Sequence, residues 1–161
     1  MKLRKLQSKD ASLMMEWMHD DSVVKDLKKD FASKTIDDCM EFIQSAREES
    51  DSIHLAIADD HDEYMGTVSL KHIRNKAAEA GMVLRNCAMG KGYASFALSS
   101  IIEQGFKRYG LHHIYWCTDP RNKRAIRFFE KNNYQRCDVP EMAQGYTDEE
   151  KQVNLWYERK L

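Results

Sequence analysis

The sequence predicts an α/β (α+β) fold: a mixed, mostly antiparallel β-sheet flanked by helices. Strand-like segments outnumber helical ones along the chain. Two of them, residues 54–58 and 64–70, are joined by the charged run Asp59-Asp60-His61-Asp62-Glu63 and read as a hairpin. Others are separated by long helical patterns, so the sheet carries α-crossovers as well as hairpins.

Residues 3–6 read as a short first strand. Asp10 is placed to cap a helix whose Leu13, Met14, Trp17 and Met18 recur at helical spacing. Residues 20–34 are polar and irregular, with Phe31 as their one large apolar anchor. Thr35, with Asp38 three residues on, opens a second helix with Ile36, Cys39, Met40, Phe42 and Ile43 on its apolar side. After the hairpin, residues 77–84 form a further strand. Residues 92–109 carry apolar side chains near a 3.6 period, and Gly110 stops that helix. Residues 113–118 alternate as a strand, and Asn122 caps a helix reaching Lys131. Residues 134–138 and 152–159 close the pattern as strands, with residues 146–151 as an acidic loop between them. The order is β-α-α-β-β-β-α-β-α-β-β.

The 161 residues correspond to one domain spanning 1–161, with no linker or repeat to divide it. Apolar residues at 42% and charged ones at 32% describe an ordinary globular protein. A net charge of −1 gives no overall pull toward nucleic acid or an anionic membrane, so any anion site must be local. The basic start of the chain lacks an apolar signal segment, and no run approaches a membrane span, which points to the cytoplasm. Cys39, Cys87, Cys117 and Cys137 are widely spaced and read as reduced thiols. No metal site is expected, since His112 and His113 are adjacent and on a strand would face opposite ways.

The most informative stretch is Ala88-Met89-Gly90-Lys91-Gly92-Tyr93-Ala94. Gly90 and Gly92 remove side chains where a strand turns into a helix, so backbone N–H groups can face an anion. A phosphate-bearing cofactor follows. A P-loop is excluded because Gly90-Lys91-Gly92 lacks the hydroxyl and the spacing. A Rossmann loop is excluded because its third glycine position is Ser95.

The strand Glu79-Ala80-Gly81-Met82-Val83-Leu84, the glycine loop and the later Asn122-x-x-Ala125-x-x-Phe128-Phe129-x-x-x-Asn133-Tyr134 together resemble the GCN5-related N-acetyltransferase (GNAT) superfamily. The resemblance covers nearly the whole chain. It is nearest to the branch of ribosomal-protein N-terminal, amino-sugar and polyamine acetyltransferases. It implies acetyl-CoA as co-substrate and a primary amine, on a small molecule or a protein N-terminus, as acceptor. Backbone groups of Met82, Val83 and Leu84 would pair with the pantetheine arm. Those of Met89, Gly90, Lys91, Gly92, Tyr93 and Ala94 would cradle the pyrophosphate. Asn122 would reach the pantetheine or acetyl end, and Lys91, Lys123, Arg127 or Lys131 would meet the adenosine 3′-phosphate.

The chain departs from the family pattern at Cys87, where Gln or Arg is usual, and at Asn133, where Gly is usual. The largest departure is Phe129, where many relatives carry a tyrosine proposed to protonate the leaving thiolate. Either another side chain donates (Tyr134, Tyr115 and Tyr93 are the alternatives, with Tyr134 the leading choice) or water does. Amine acetylation needs a base, because alkyl amines (pKa about 10.4) are protonated at neutral pH. Glu79 is the candidate, matching a strand glutamate that serves so in some relatives, with a merely solvated carboxylate as the plain reading. His72 is the alternative base. Asp26 and Asp119 are candidates for recognising a cationic acceptor. Trp156 and Tyr157 offer a homodimer seam, with ordinary sheet packing the simpler use. A non-catalytic acyl-CoA sensor on the same fold is the second reading, motivated by Phe129.

Overall fold

The structure, a computed structural model, describes residues 1–48 and 50–161. The chain runs through β1 (Lys2–Lys5), α1 (Ala11–Met18), α2 (Asp21–Val24), α3 (Ile36–Ser45), β2 (Ile53–Ala58), β3 (Tyr64–Arg74), β4 (Ala77–Leu84), α4 (Tyr93–Tyr109), β5 (His113–Thr118), α5 (Lys123–Lys131), β6 (Gln135–Cys137), α6 (Asp148–Val153) and β7 (Leu155–Lys160). The strands form a 7-stranded sheet in the order β1-β2-β3-β4-β5-β7-β6. All neighbours are antiparallel except β4 and β5, which α4 connects and which are therefore parallel.

β3 lies at the centre of the first half of the sheet, and residues 64–70 are all buried. One face is covered by α4, whose Ala97, Leu98, Ile101 and Ile102 pack on Val68, Leu70, Ile114 and Trp116. Gly105 lets this helix lie close, because a Cβ there would sit 2.6 Å from Ile114 Cδ1. The opposite face is covered by α1 and α3, through Met14, Trp17, Cys39 and Ile43 against Ala56 and Tyr64. Trp17 Nε1 donates to the Tyr64 hydroxyl at 3.0 Å, which keeps both polar tips satisfied inside the core. Each such large side chain, fully buried, contributes roughly 1.5–3 kcal/mol. A third cluster of Tyr115, Ala143 and Trp156 fills the space beneath the loop before α6. Among the described residues no helix is long and apolar enough to cross a membrane.

The helix caps follow the sequence closely. Thr35 and Asp38 form a reciprocal capping box, and Asn122 Oδ1 accepts from Ala125 N. Gly110 ends α4 at φ 64, and Asn133 takes φ 55 where a glycine is usual.

Several expectations are corrected. β1 begins and ends one residue earlier than residues 3–6, and β3 continues to Arg74. Asp10 precedes α1 but its side chain does not cap that helix. It is instead buried, accepting from Arg4 Nη1 at 2.8 Å and Nη2 at 2.9 Å, so it ties β1 to the start of α1. Residues 20–34 contain the short helix α2, which Asp20 caps. Residues 146–151 are not a simple acidic loop. Thr147 and Glu150 form a capping box that opens α6, and three acidic residues in the first turn suit the positive end of that helix. The last strand consequently starts at Leu155, not at residue 152.

Candidate active site in the split between two strands

β4 and β5 are held together only at their starts. Ala77, Ala78 and Glu79 pair with His113, Ile114 and Tyr115, and among the described residues the ladder goes no further. The other edge of β4 stays paired with β3 as far as Leu84 opposite Gly66. Beyond Glu79 the strands part, and residues 80–84 and 116–119 line a groove of about 970 Å³. That volume suits a cofactor-sized molecule. Among the described residues, the edge of β4 that β5 leaves carries no strand partner beyond Glu79, and Met82, Val83 and Leu84 lie along it, where an extended ligand can pair as a strand would.

After Leu84 the chain makes a 3₁₀ turn over Asn86–Ala88 and enters the glycine loop. Gly90 and Gly92 take φ values of 73° and 86°. Left-handed backbone costs other residues about 1–2 kcal/mol, which explains the choice of glycine. Gly92 is the N-cap of α4 and has no side chain to satisfy the first-turn N–H groups. Those amides lie at the positive end of a long helix, where backbone N–H groups can donate to an anion. Met89, Gly90, Gly92 and Ala94 line the groove, whereas Lys91 and Tyr93 are not among its lining residues.

The second wall comes from α5 and its cap. Asn122, Arg124, Arg127 and Lys131 line the groove and give this end a positive character. Asn122 uses its carbonyl oxygen to cap α5, accepting from Ala125 N at 3.1 Å, and still carries its NH₂ group. The chain around α2 crosses the opening. Arg124 Nη2 donates to Ser22 O at 3.4 Å, and Lys28 Nζ donates to Gly145 O at 2.5 Å and Glu150 Oε2 at 2.9 Å.

Where the strands separate, Glu79 is buried on the face opposite α4 and, like Tyr134 and His72, is not among the groove-lining residues; Tyr146 stands between it and the groove. Its Oε1 accepts from the Tyr146 hydroxyl at 2.5 Å and pairs with Lys71 Nζ at 3.4 Å. Burial, then the charges of Glu79 and Cys117, push the Tyr146 phenol well above its usual range, so it keeps its proton. Burial likewise pushes the Cys117 thiol up to about 11. Tyr146 and Cys117 both line the groove, and Tyr146 was not singled out in the sequence. The only local signals for it were Gly145, which takes φ 79°, and the capping box that starts at Thr147.

The remaining sequence candidates are dispersed. Phe129 lines the groove but is buried against Trp116 and Tyr157. Tyr134 is not among the lining residues; its ring packs on Trp116, Phe128 and Phe129 beneath Arg159. Tyr115 is buried, donates to Met142 O at 3.3 Å, and has its phenol raised to about 12 by burial and Glu79. His72 sits at φ 55° in an irregular part of β3, outside the groove. Asp26 and Asp119 do line the groove, but Asp119 is held by Arg121 at 2.9–3.0 Å and its carboxyl is depressed by that pairing. Trp156 and Tyr157 are buried within the chain.

Residues 1–135 match the acetyltransferase (GNAT) domain family. The chain belongs to the GNAT family. It is an N-acetyltransferase, and among its relatives is YnaD of Bacillus subtilis, an uncharacterized N-acetyltransferase 27% identical over 135 residues, covering 83% of this chain and 78% of that one. The uncharacterized N-acetyltransferase p20 of Bacillus licheniformis is also 27% identical, over 141 residues with the same coverage of 83% and 78%. Among solved structures, the spermidine N-acetyltransferase of Vibrio cholerae in complex with CoA and spermine superposes with a TM-score of 0.80 at 17% identity, over 99% of this chain and 94% of that one. RimJ of Mycobacterium smegmatis, in complex with CoA-disulfide, gives 0.78 at 15% identity over 98% and 80%. These likenesses establish the same mixed sheet flanked by helices.

Proposed function

We propose that this GNAT protein moves the acetyl group of acetyl-CoA directly to a primary amine bound beneath the α2 segment. The observation that carries the reading is the parted pair β4 and β5, continuing into the glycine loop at the start of α4. The residues present fit coenzyme A. Met82, Val83 and Leu84 offer an open backbone edge to the pantetheine amides. The amides of residues 89–94 offer an anion cradle for the pyrophosphate, with Lys91 and Tyr93 contributing backbone only. Arg127 and Lys131 supply cations on the wall for the 3′-phosphate.

The chemistry assigned to the chain is proton removal and alignment. Acetyl-CoA supplies an activated carbonyl. Glu79, set just behind the groove wall, takes a proton through water from the ammonium form of the acceptor so that nitrogen can attack, and backbone N–H groups near Val83 stabilise the oxyanion. Holding donor and acceptor in line supplies much of the remaining acceleration. The acceptor is a small amine, a polyamine, an amino sugar or a protein N-terminus. Relatives in structure act on spermidine, and the charge of Asp26 in the groove wall favours a cationic amine here. The unpaired cysteines support a reducing, cytoplasmic setting. The test is calorimetry with CoA, then thiol release from acetyl-CoA against a panel of amines. The reading requires binding and turnover on at least one amine; binding without turnover would favour an acyl-CoA sensor.

A further inference from the structure

Phe129 offers no proton to a departing sulfur, yet a thiolate expelled into a partly closed groove gains from one. The split between β4 and β5 holds a different hydroxyl. Tyr146 enters from the loop between β6 and α6, lines the groove, and donates to Glu79 Oε1 at 2.5 Å. It is firmly placed. Gly145 before it turns at φ 79°, and Thr147 after it opens the capping box of α6. Trp156 meets its ring edge-on at 5.2 Å and 77°, and Lys28 Nζ lies 4.5 Å above the ring. Lys28 also bonds the carbonyl of Gly145 and the carboxylate of Glu150, so both flanks of Tyr146 are tied to one cation. Such support holds a phenol in one orientation, as a catalytic hydroxyl requires.

Resting on the acetyl-transfer reading above, we infer that Tyr146 is the catalytic acid, passing to the CoA sulfur a proton that Glu79 replaces. Glu79 holds the proton it took from the ammonium, and as the N–C bond forms the second proton on that nitrogen passes to solvent. The C–S bond breaks, and the electron pair leaves with sulfur. Tyr146 gives its O–H proton to sulfur and receives the proton held by Glu79 across their hydrogen bond. Acetyl-CoA and the ammonium become amide, free CoA and one solvent proton, and both side chains return to their starting state. A phenol that does not ionise on its own suits this exchange, because it releases a proton only as it receives one. Cys117, the other protic side chain beside Tyr146, accepts from Asn154 Nδ2 at 3.6 Å, and burial keeps its thiol protonated.

The test uses the full chain with 3-fluorotyrosine at position 146, which keeps the ring packing, alongside Tyr146→Phe. CoA should move the fluorine resonance, desulfo-CoA should not, and Glu79→Gln should move it in the ligand-free protein. With the best amine among a polyamine, an amino sugar and a short peptide, Tyr146→Phe should lower kcat about 10²-fold while leaving CoA affinity within twofold. Its solvent isotope effect should fall from a multi-proton to a one-proton dependence. A resonance blind to the sulfur, or a Tyr146→Phe variant with undiminished kcat, overturns the assignment. Wild-type protein that binds no CoA overturns the acetyl-transfer reading itself, which calorimetry detects separately.

Discussion

Gly66 lies directly against Val83. A Cβ added at Gly66 would sit 2.3 Å from the Val83 carbonyl oxygen and 2.9 Å from Leu84 Cδ2. The missing side chain on β3 therefore sets how β4 runs where it lines the groove. Gly66→Ala forces β4 to shift where a pantetheine arm would pair. Overpacking of this kind costs about 1–3 kcal/mol in stability. The expected result is a lower Tm together with roughly tenfold weaker CoA binding, about 1.4 kcal/mol. Thermal unfolding and calorimetry on the variant check both.

At the loop, Gly92 holds φ 86° and its Cβ position is open except for Met1 Cε at 3.8 Å. Gly92→Trp fills the mouth of the anion cradle at a backbone cost of about 1–2 kcal/mol. CoA binding should vanish while far-ultraviolet circular dichroism stays native. Unchanged affinity would show that the α4 amides do not hold the pyrophosphate.

Glu79→Gln keeps a hydrogen-bond acceptor for Tyr146 but removes the base. At neutral pH kcat should drop by about 10²–10⁴, with the KM for acetyl-CoA unchanged. The deficit should shrink as pH rises toward the acceptor's own pKa of about 10.4, because free amine then needs no base. A defect constant across pH would assign Glu79 to positioning alone.

Asp62 gathers Lys2, Arg4 and Lys9 at the β2–β3 turn, with Lys2 Nζ and Arg4 Nε each at 2.8 Å. Hydrogen bonds from Lys2 and Lys9 hold its carboxyl well below the ordinary 3.8. The sign follows: a depressed acid stabilises the fold above its unfolded pKa and loses that contribution as pH falls from 3.8 toward the folded value. Asp62→Asn, which tolerates the φ of 65° found there, should unfold at lower urea than wild type at pH 7. The gap should narrow in acid, which paired urea titrations at pH 7 and pH 3 would reveal.

Much of the scaffold was legible because its boundaries are written in local chemistry. Gly92 and Gly110 bracket α4, Asn122 starts α5 and Thr35 starts α3, each through a cap that depends on residues within one turn. Asp10 misled because its partner, Arg4, lies on another element, and the guanidinium won the carboxylate away from the helix end. The loop and wall residues were accessible for the same reason as the caps. Tyr146 was not, since its meaning comes from Glu79, 67 residues earlier in the chain. Residues 148–150 looked like a solvated charge run until the capping box showed a helix start. Tyr134 was favoured by nearness in sequence to Phe129, but the turn at Asn133 sends it into the aromatic cluster around Trp116.

A sheet that parts in its middle also has a colloidal side. The bare rim of β4 is the sort of surface on which a neighbouring molecule could nucleate an intermolecular ladder. Neither proline nor a lysine fence protects residues 80–84; they are set back in a recess roofed by the stretch around Lys28. An occupant stretched along that rim finishes the ladder from inside, so storing the enzyme loaded should keep solutions clear for longer than storing it empty.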